Sequence, residues 1–155
     1  MKLDEHLLDA LLARWPVARL ATRTPDAEPH VLPVVFVAEA GQVSSPVDGK
    51  RKGASSLARV RNIEAHGRAS LLLDHYDADW SQLWWVRLDG PAWIERGSGE
   101  RMDRVGAQLR DKYPQYRDVV PFSGEPTLLV LRWSRVSAWS QAGSDAPIRR
   151  AAGMA

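Results

Sequence analysis

Residues 17–47 read VARLATRTPDAEPHVLPVVFVAEAGQVSSPV, and this stretch decides the fold. Val17–Thr24 is rich in β-branched and alternating residues and predicts a strand. Pro25-Asp26-Ala27-Glu28-Pro29 is turn chemistry. Val31–Val37 predicts a second strand, apolar on both faces and so buried on both. Pro33 has no N–H for a ladder, so it marks a bulge, an edge or a place where something other than a strand approaches. Ala40-Gly41 turns the chain into a third strand, Gln42–Val47. Strands that follow one another through hairpins point to an antiparallel sheet, not a doubly wound one.

The flanks extend this pattern. Leu3, Leu7, Leu8, Leu11, Leu12 and Trp15 form one stripe of an amphipathic helix, stopped by Pro16. After the third strand comes a charged loop, Asp48–Gly53. Ser55 or Ser56 can cap a following helix that runs to about His66, with Leu57, Val60 and Ile63 inward. Ala69–Tyr76 predicts a strand and Asp77–Ser81 a loop. Leu83–Glu95 predicts a long strand, with Asp89-Gly90-Pro91 either a hairpin turn or a bulge within it. Met102, Val105, Gly106 and Leu109 have helical spacing within Gly99–Lys112. Thr127–Trp139 predicts a last long strand. The expectation is a mainly β (α+β) protein, a six-stranded antiparallel split β-barrel with peripheral helices. Residues 1–139 form the domain, and 140–155 are expected to be a surface tail.

The chain has 155 residues, 45% hydrophobic and 26% charged, which excludes disorder throughout. Its net charge of +2 is too small for a protein that coats nucleic acid. The longest apolar run, Val31–Ala38, is too short for a membrane span. Asp4, Glu5, His6 and Asp9 stand where a secretory signal would need apolar residues. With no cysteine there is no disulfide frame and no thiolate chemistry. The expected compartment is the cytoplasm. Seventeen Arg against four Lys suggest a GC-rich genome.

Chemistry concentrates in Ser44-Ser45-Pro46-Val47-Asp48-Gly49-Lys50-Arg51-Lys52. In an extended segment Lys50 and Lys52 point the same way. Gly49 and Gly53 let the backbone approach a ligand. A helix start follows, which favours anions. Together they describe a phosphate clamp, to which Arg59 could add a fork. A solvated basic loop is the competing reading. His30, His66 and His75 lack the spacing of a metal set. His75 reads as a strand-end histidine bonding the carboxylates beside it. There is no nucleophile elbow, P-loop or acid/base pair. A phosphate clamp among apolar strands and Trp faces, with no catalytic side chain, fits a protein whose cofactor carries the reactive atom.

These residues resemble the split β-barrel flavin- and deazaflavin-binding proteins of the pyridoxamine 5'-phosphate oxidase type. The resemblance rests on Ala18–Thr22, Pro29–Phe36, Val47–Lys52, Leu57–Ile63, Ala69–Leu73, Asp74-His75-Tyr76-Asp77 and Leu83–Gly90, and spans about residues 10–139. The last two stretches are similar to an actinobacterial subgroup of coenzyme F-420-dependent enzymes. The resemblance implies a homodimer with cofactor at the interface. It implies that strands such as Val34-Val35-Phe36 and Ser44–Val47 lie along the tricyclic ring. Lys50 and Lys52 would hold the phosphate, and the partner chain would supply groups near Trp85 and Arg87. It also favours a strand continuing through Asp89-Gly90. The candidate cofactor-binding residues are Pro33, Val34, Val35, Ser44, Ser45, Pro46, Val47, Lys50, Lys52, Arg59, Trp85 and Arg87. No catalytic side chain and no metal ligand is expected. The cofactor expected is coenzyme F-420, with FMN as the alternative. The activity expected is hydride transfer to an unidentified small molecule. A non-enzymatic binding module using the basic loop is the competing class, and haem ranks last because the histidines are scattered. The C-terminal Arg-His pattern of the oxidase proper is missing from Ser140–Ala155, so pyridoxamine phosphate oxidation is not expected.

Overall fold

A computed structural model describes residues 1–47, 54–122 and 124–155, with residues 54–57 as backbone alone. The Asp4 carboxylate accepts the N–H groups of His6 and Leu7 at 2.9 and 3.3 Å and opens helix α1, Glu5–Arg14. Leu7, Leu8, Leu11 and Leu12 on one face are buried. Each such side chain contributes about 1.5–3 kcal/mol. Strands β1 (Ala18–Arg23) and β2 (Pro29–Val34) pair as a hairpin, Ala18 opposite Val34 and Arg23 opposite Pro29. β2 is an edge strand, which tolerates Pro33.

The second strand differs from expectation. Val31 is 67% exposed, and the run breaks after Val34. Phe36 turns inward, fully buried, and its N–H bonds the Tyr113 hydroxyl at 3.0 Å. A separate strand β3 (Val37–Glu39) then pairs with β4 (Gln42–Pro46). Ala40 and Gly41 both have positive φ, 50° and 79°, the two-residue turn that matches strand twist. Helix α2 spans Ala54–His66, so Ser55 and Ser56 lie within its first turn rather than capping it. Val60 and Ile63 are buried as expected. Gly67, at φ 65°, ends the helix with its N–H on Ile63 O at 2.7 Å.

Strands β5 (Arg68–His75) and β6 (Trp84–Arg96) follow, then helix α3 (Glu100–Lys112), strands β7 (Thr127–Arg132) and β8 (Arg135–Ser140), and helix α4 (Ala146–Ala151). All pairings are antiparallel, in the order β2-β1-β5-β6-β7-β4-β3, with β8 also on β6. β6 is the shared strand. Trp84–Asp89 lie between β5 and β8, and Ala92–Arg96 pair with β7. The β5 register runs unbroken from Trp84 to Pro91, so Asp89-Gly90-Pro91 is no hairpin. A Cβ at Gly90 would stand 2.0 Å from Arg132 O, where β7 leaves β6 and β8 replaces it. That crossing splits the expected last strand at Trp133-Ser134. The described residues therefore show eight strands rather than six, in the split-barrel arrangement expected.

The main core joins α1 to the inner faces of β1, β5, β6 and β8. A second core packs Met102, Val105 and Leu109 of α3 on Val37, Leu128 and Val130. Ser140–Ala155 is not a surface tail. Ser140 ends β8, and α4 packs on α1 with Ile148 fully buried. Two residues tie the second core to the first. The Tyr113 hydroxyl lies 2.7 Å from Pro16 O and 3.0 Å from Phe36 O, and burial pushes it up to about 12. Lys112 Nζ donates to Leu12 O at 2.7 Å and Phe36 O at 3.0 Å and sits 3.6 Å above the Phe36 ring. Desolvation pulls its pKa down to about 7.

Two outcomes follow. Gly90→Ala forces a methyl group into a backbone carbonyl and should lower stability by at least about 3 kcal/mol in denaturant unfolding. Between pH 7 and the ordinary lysine value of 10.5 the unfolded chain binds a proton that the folded Lys112 does not. Stability should therefore rise from pH 7 to pH 9.5, and Lys112→Met should remove that part of the slope.

Candidate functional site

The end of β4 is fixed from three sides. Ser45 Oγ donates to Val35 O at 2.8 Å, joining the segment after β2 to β4. Val47 N–H bonds Thr127 O at 3.0 Å. Arg59 Nη2 of α2 donates to Pro46 O at 3.3 Å. Ser44, one residue away, faces α3 instead, and its hydroxyl accepts from Arg101 Nη2 at 3.3 Å. Arg101 also pairs with Glu95 at 2.6 Å. Burial works against that carboxylate's charge, but bonds from Arg101 and Trp93 outweigh it and hold the pKa below the ordinary value.

Val35, Ser45, Pro46 and Arg59 thus come together, with Val34 and Ser44 buried beside them and Val47 half-buried. Arg59 braces the strand at the point where the basic loop begins. Lys50 and Lys52 lie outside the described residues.

Pro33, Trp85 and Arg87 belong to a different surface, the outer face of the sheet. Cross-strand pairing places Pro33, Arg19, Leu72, Arg87 and Ser137 in one row across five strands. Asp74, Trp85 and Trp139 form the next row. Leu72, Tyr76, Trp85, Arg87 and Trp139 line an open cleft of about 450 Å³. Arg87 lies 6.0 Å over the Trp85 ring and donates to Asp89 Oδ2 at 3.0 Å. Trp139 and Tyr76 escaped the sequence reading, although Trp139 holds an outer alternate position of its strand. The inner residue Trp84 instead packs on Trp15, ring centroids 4.7 Å apart, with His75 stacked beside it. His75 lies 3.6 Å from Asp77, as a strand-end histidine should. Among the described residues no three His, Asp or Glu side chains gather as a metal site. No helix among them is long and apolar enough to cross a membrane.

A sheet shared between two small cores, with helices at its rim, defines a class of split-barrel proteins. The chain belongs to the family described as pyridoxamine 5'-phosphate oxidase, matched over residues 4–146. No curated protein matches the sequence. Solved structures share the fold at low identity. A conserved hypothetical protein, Rv2991, from Mycobacterium tuberculosis is 19% identical, with 90% of this chain and 86% of that chain covered and a TM-score of 0.69. The heme storage protein HutZ from Vibrio cholerae is 17% identical, covering 90% and 95%, at 0.67. An FAD binding protein from Mycobacterium smegmatis is 18% identical, covering 88% and 94%, at 0.54.

Ser45→Ala would remove the hydroxyl donor from the part-buried Val35 O. It should cost about 1–3 kcal/mol in denaturant unfolding, more than Ser137→Ala on the outer face.

Proposed function

We propose that the chain binds a flavin-type tricyclic cofactor along Val34-Val35 and Ser44–Val47, and that it works as a coenzyme F-420-dependent reductase. The carrying observation is the braced end of β4. Val35, Ser45, Pro46 and Arg59 are locked together where the chain enters the Lys50/Lys52 loop. These residues fit such a group. The half-buried Val35 and Val47 offer an apolar edge for a planar ring, and the loop offers ammonium groups for an acidic tail. Coenzyme F-420, when bound, supplies hydride from its C5 to an electron-poor acceptor. The protein's own part is to position: Ser45 and Arg59 hold the strand, and Lys50 and Lys52 anchor the anionic end. Trp85 and Arg87 lie on another face, so they reach such a site only from a second copy, which favours a homodimer. Membership of the oxidase family supports the flavin class, as does the similar FAD binding protein.

FMN is the second reading, since the same cradle fits its phosphate. The HutZ likeness adds haem as an outcome to be tested. The experiment is a side-by-side titration with F-420, FMN and hemin. Saturable F-420 binding is expected, weakened several-fold or more in the Lys50→Ala/Lys52→Ala double variant, because each charge-assisted bond contributes about 1.5–3 kcal/mol. Unchanged affinity in that variant would end the assignment of the loop. Tighter binding of FMN or hemin would replace F-420.

A further inference from the structure

A second anion-attracting feature lies elsewhere on the sheet. Asp89 of β6 is 8% exposed and is surrounded by donors. The Ser70 hydroxyl donates to Oδ1. Arg87 Nε reaches Oδ2 at 3.0 Å, and Arg135 Nη2 and Nε reach the same oxygen at 3.2 and 3.3 Å. Burial opposes the charge of Asp89, but these bonds prevail and keep its pKa below the ordinary range. One carboxylate is already shared by two guanidinium groups and has no charge left to balance others.

Two more arginines border the same place. Arg23, at the end of β1, and Arg68, at the start of β5, line a cleft of about 280 Å³ together with Ser70, Asp89 and Arg135. Neither Arg23 nor Arg68 forms an ion pair with a carboxylate among the described residues. Like charges on adjoining strands concentrate positive potential at the cleft mouth, where both side chains are exposed. Arginine forks present paired N–H groups that match the oxygens of phosphate or carboxylate.

We propose that this cleft binds a small, multiply charged oxyanion, a phosphate ester or a polycarboxylate, between Arg23, Arg68 and Arg135. It is separate from the basic loop. Along the chain α2 separates the loop residues from Arg68, and its 13 residues span roughly 20 Å. The loop precedes the first turn of α2, whereas His66 at its last turn lies 2.6 Å from Thr24 O, next to Arg23. The proposal goes beyond the cofactor reading and does not depend on it.

The test is calorimetric titration of the intact protein with pyrophosphate and, separately, citrate, at low and moderate salt. Saturable binding of at least one probe is expected, weaker in salt. Arg68→Gln and Arg23→Gln, both on exposed side chains, should each lower that affinity about tenfold, with melting temperature unchanged. The Lys50→Ala/Lys52→Ala protein should bind the probe as the parent does. The tighter of the two probes separates phosphate from carboxylate. Three results would overturn the proposal: no saturable binding, parent-like affinity in both arginine variants, or loss of binding in the lysine variant. A fourth is a dimer by sedimentation that Arg68→Glu dissociates while neither probe binds the parent, because the cleft would then belong to a partner chain.

Discussion

The close crossing at Gly90 governs the architecture. β6 is one strand of 13 residues that serves two sheets, and it can do so only where β7 and β8 exchange places beside it. Arg132 O lies against the Gly90 backbone with no room for a side chain. Ser134 N–H then bonds Asp89 O at 2.9 Å and starts β8 on the other half of the strand. Barrel corners of this kind need a small residue, since two backbones must nearly touch. Asp89, next in line, is held from the side by Ser70, Arg87 and Arg135, so the corner is fixed by hydrogen bonds as well as packing.

The second core hangs on an equally local device. Phe36 breaks what would otherwise be one strand, and its backbone is gripped from α3's end by Lys112 and Tyr113. Lys112 satisfies two carbonyls and lies on an aromatic face, with desolvation opposing its charge. The result positions β3 and β4 against α3, and with them the Ser45–Val35 bond at the candidate cofactor edge.

Local patterns in the sequence announced most elements. The leucine stripe of α1, the Pro-Asp turn and the spacing of Met102, Val105 and Leu109 each needed only neighbouring residues to be read. The failures share a cause. The breaks at Phe36 and at Trp133-Ser134 come from contacts with Tyr113 and Asp89, 77 and 45 residues away. The apolar composition around them still looks like strand. Ala146–Ala151 has too few turns to show a period, and its helix is stabilised by α1 instead. The candidate site was legible in part for the same reason. Ser44–Val47 and Arg59 could be placed beside the loop by order along the chain. That Trp85 and Arg87 occupy another face depends on register, which the sequence alone did not fix.

On the proposed reading, the braced strand end, the basic loop and the detached aromatic face would together hold a planar, acidic ligand between two copies. The most direct measurement is a crystal structure of the protein grown with F-420, and in parallel with FMN. Density for a tricyclic ring along Val34-Val35 and Ser44–Val47 is expected, with its acidic end on Lys50 and Lys52 and a partner's aromatic residue on its far side. A ring bound elsewhere, or a lone protomer with that edge bare at saturating cofactor, would contradict it.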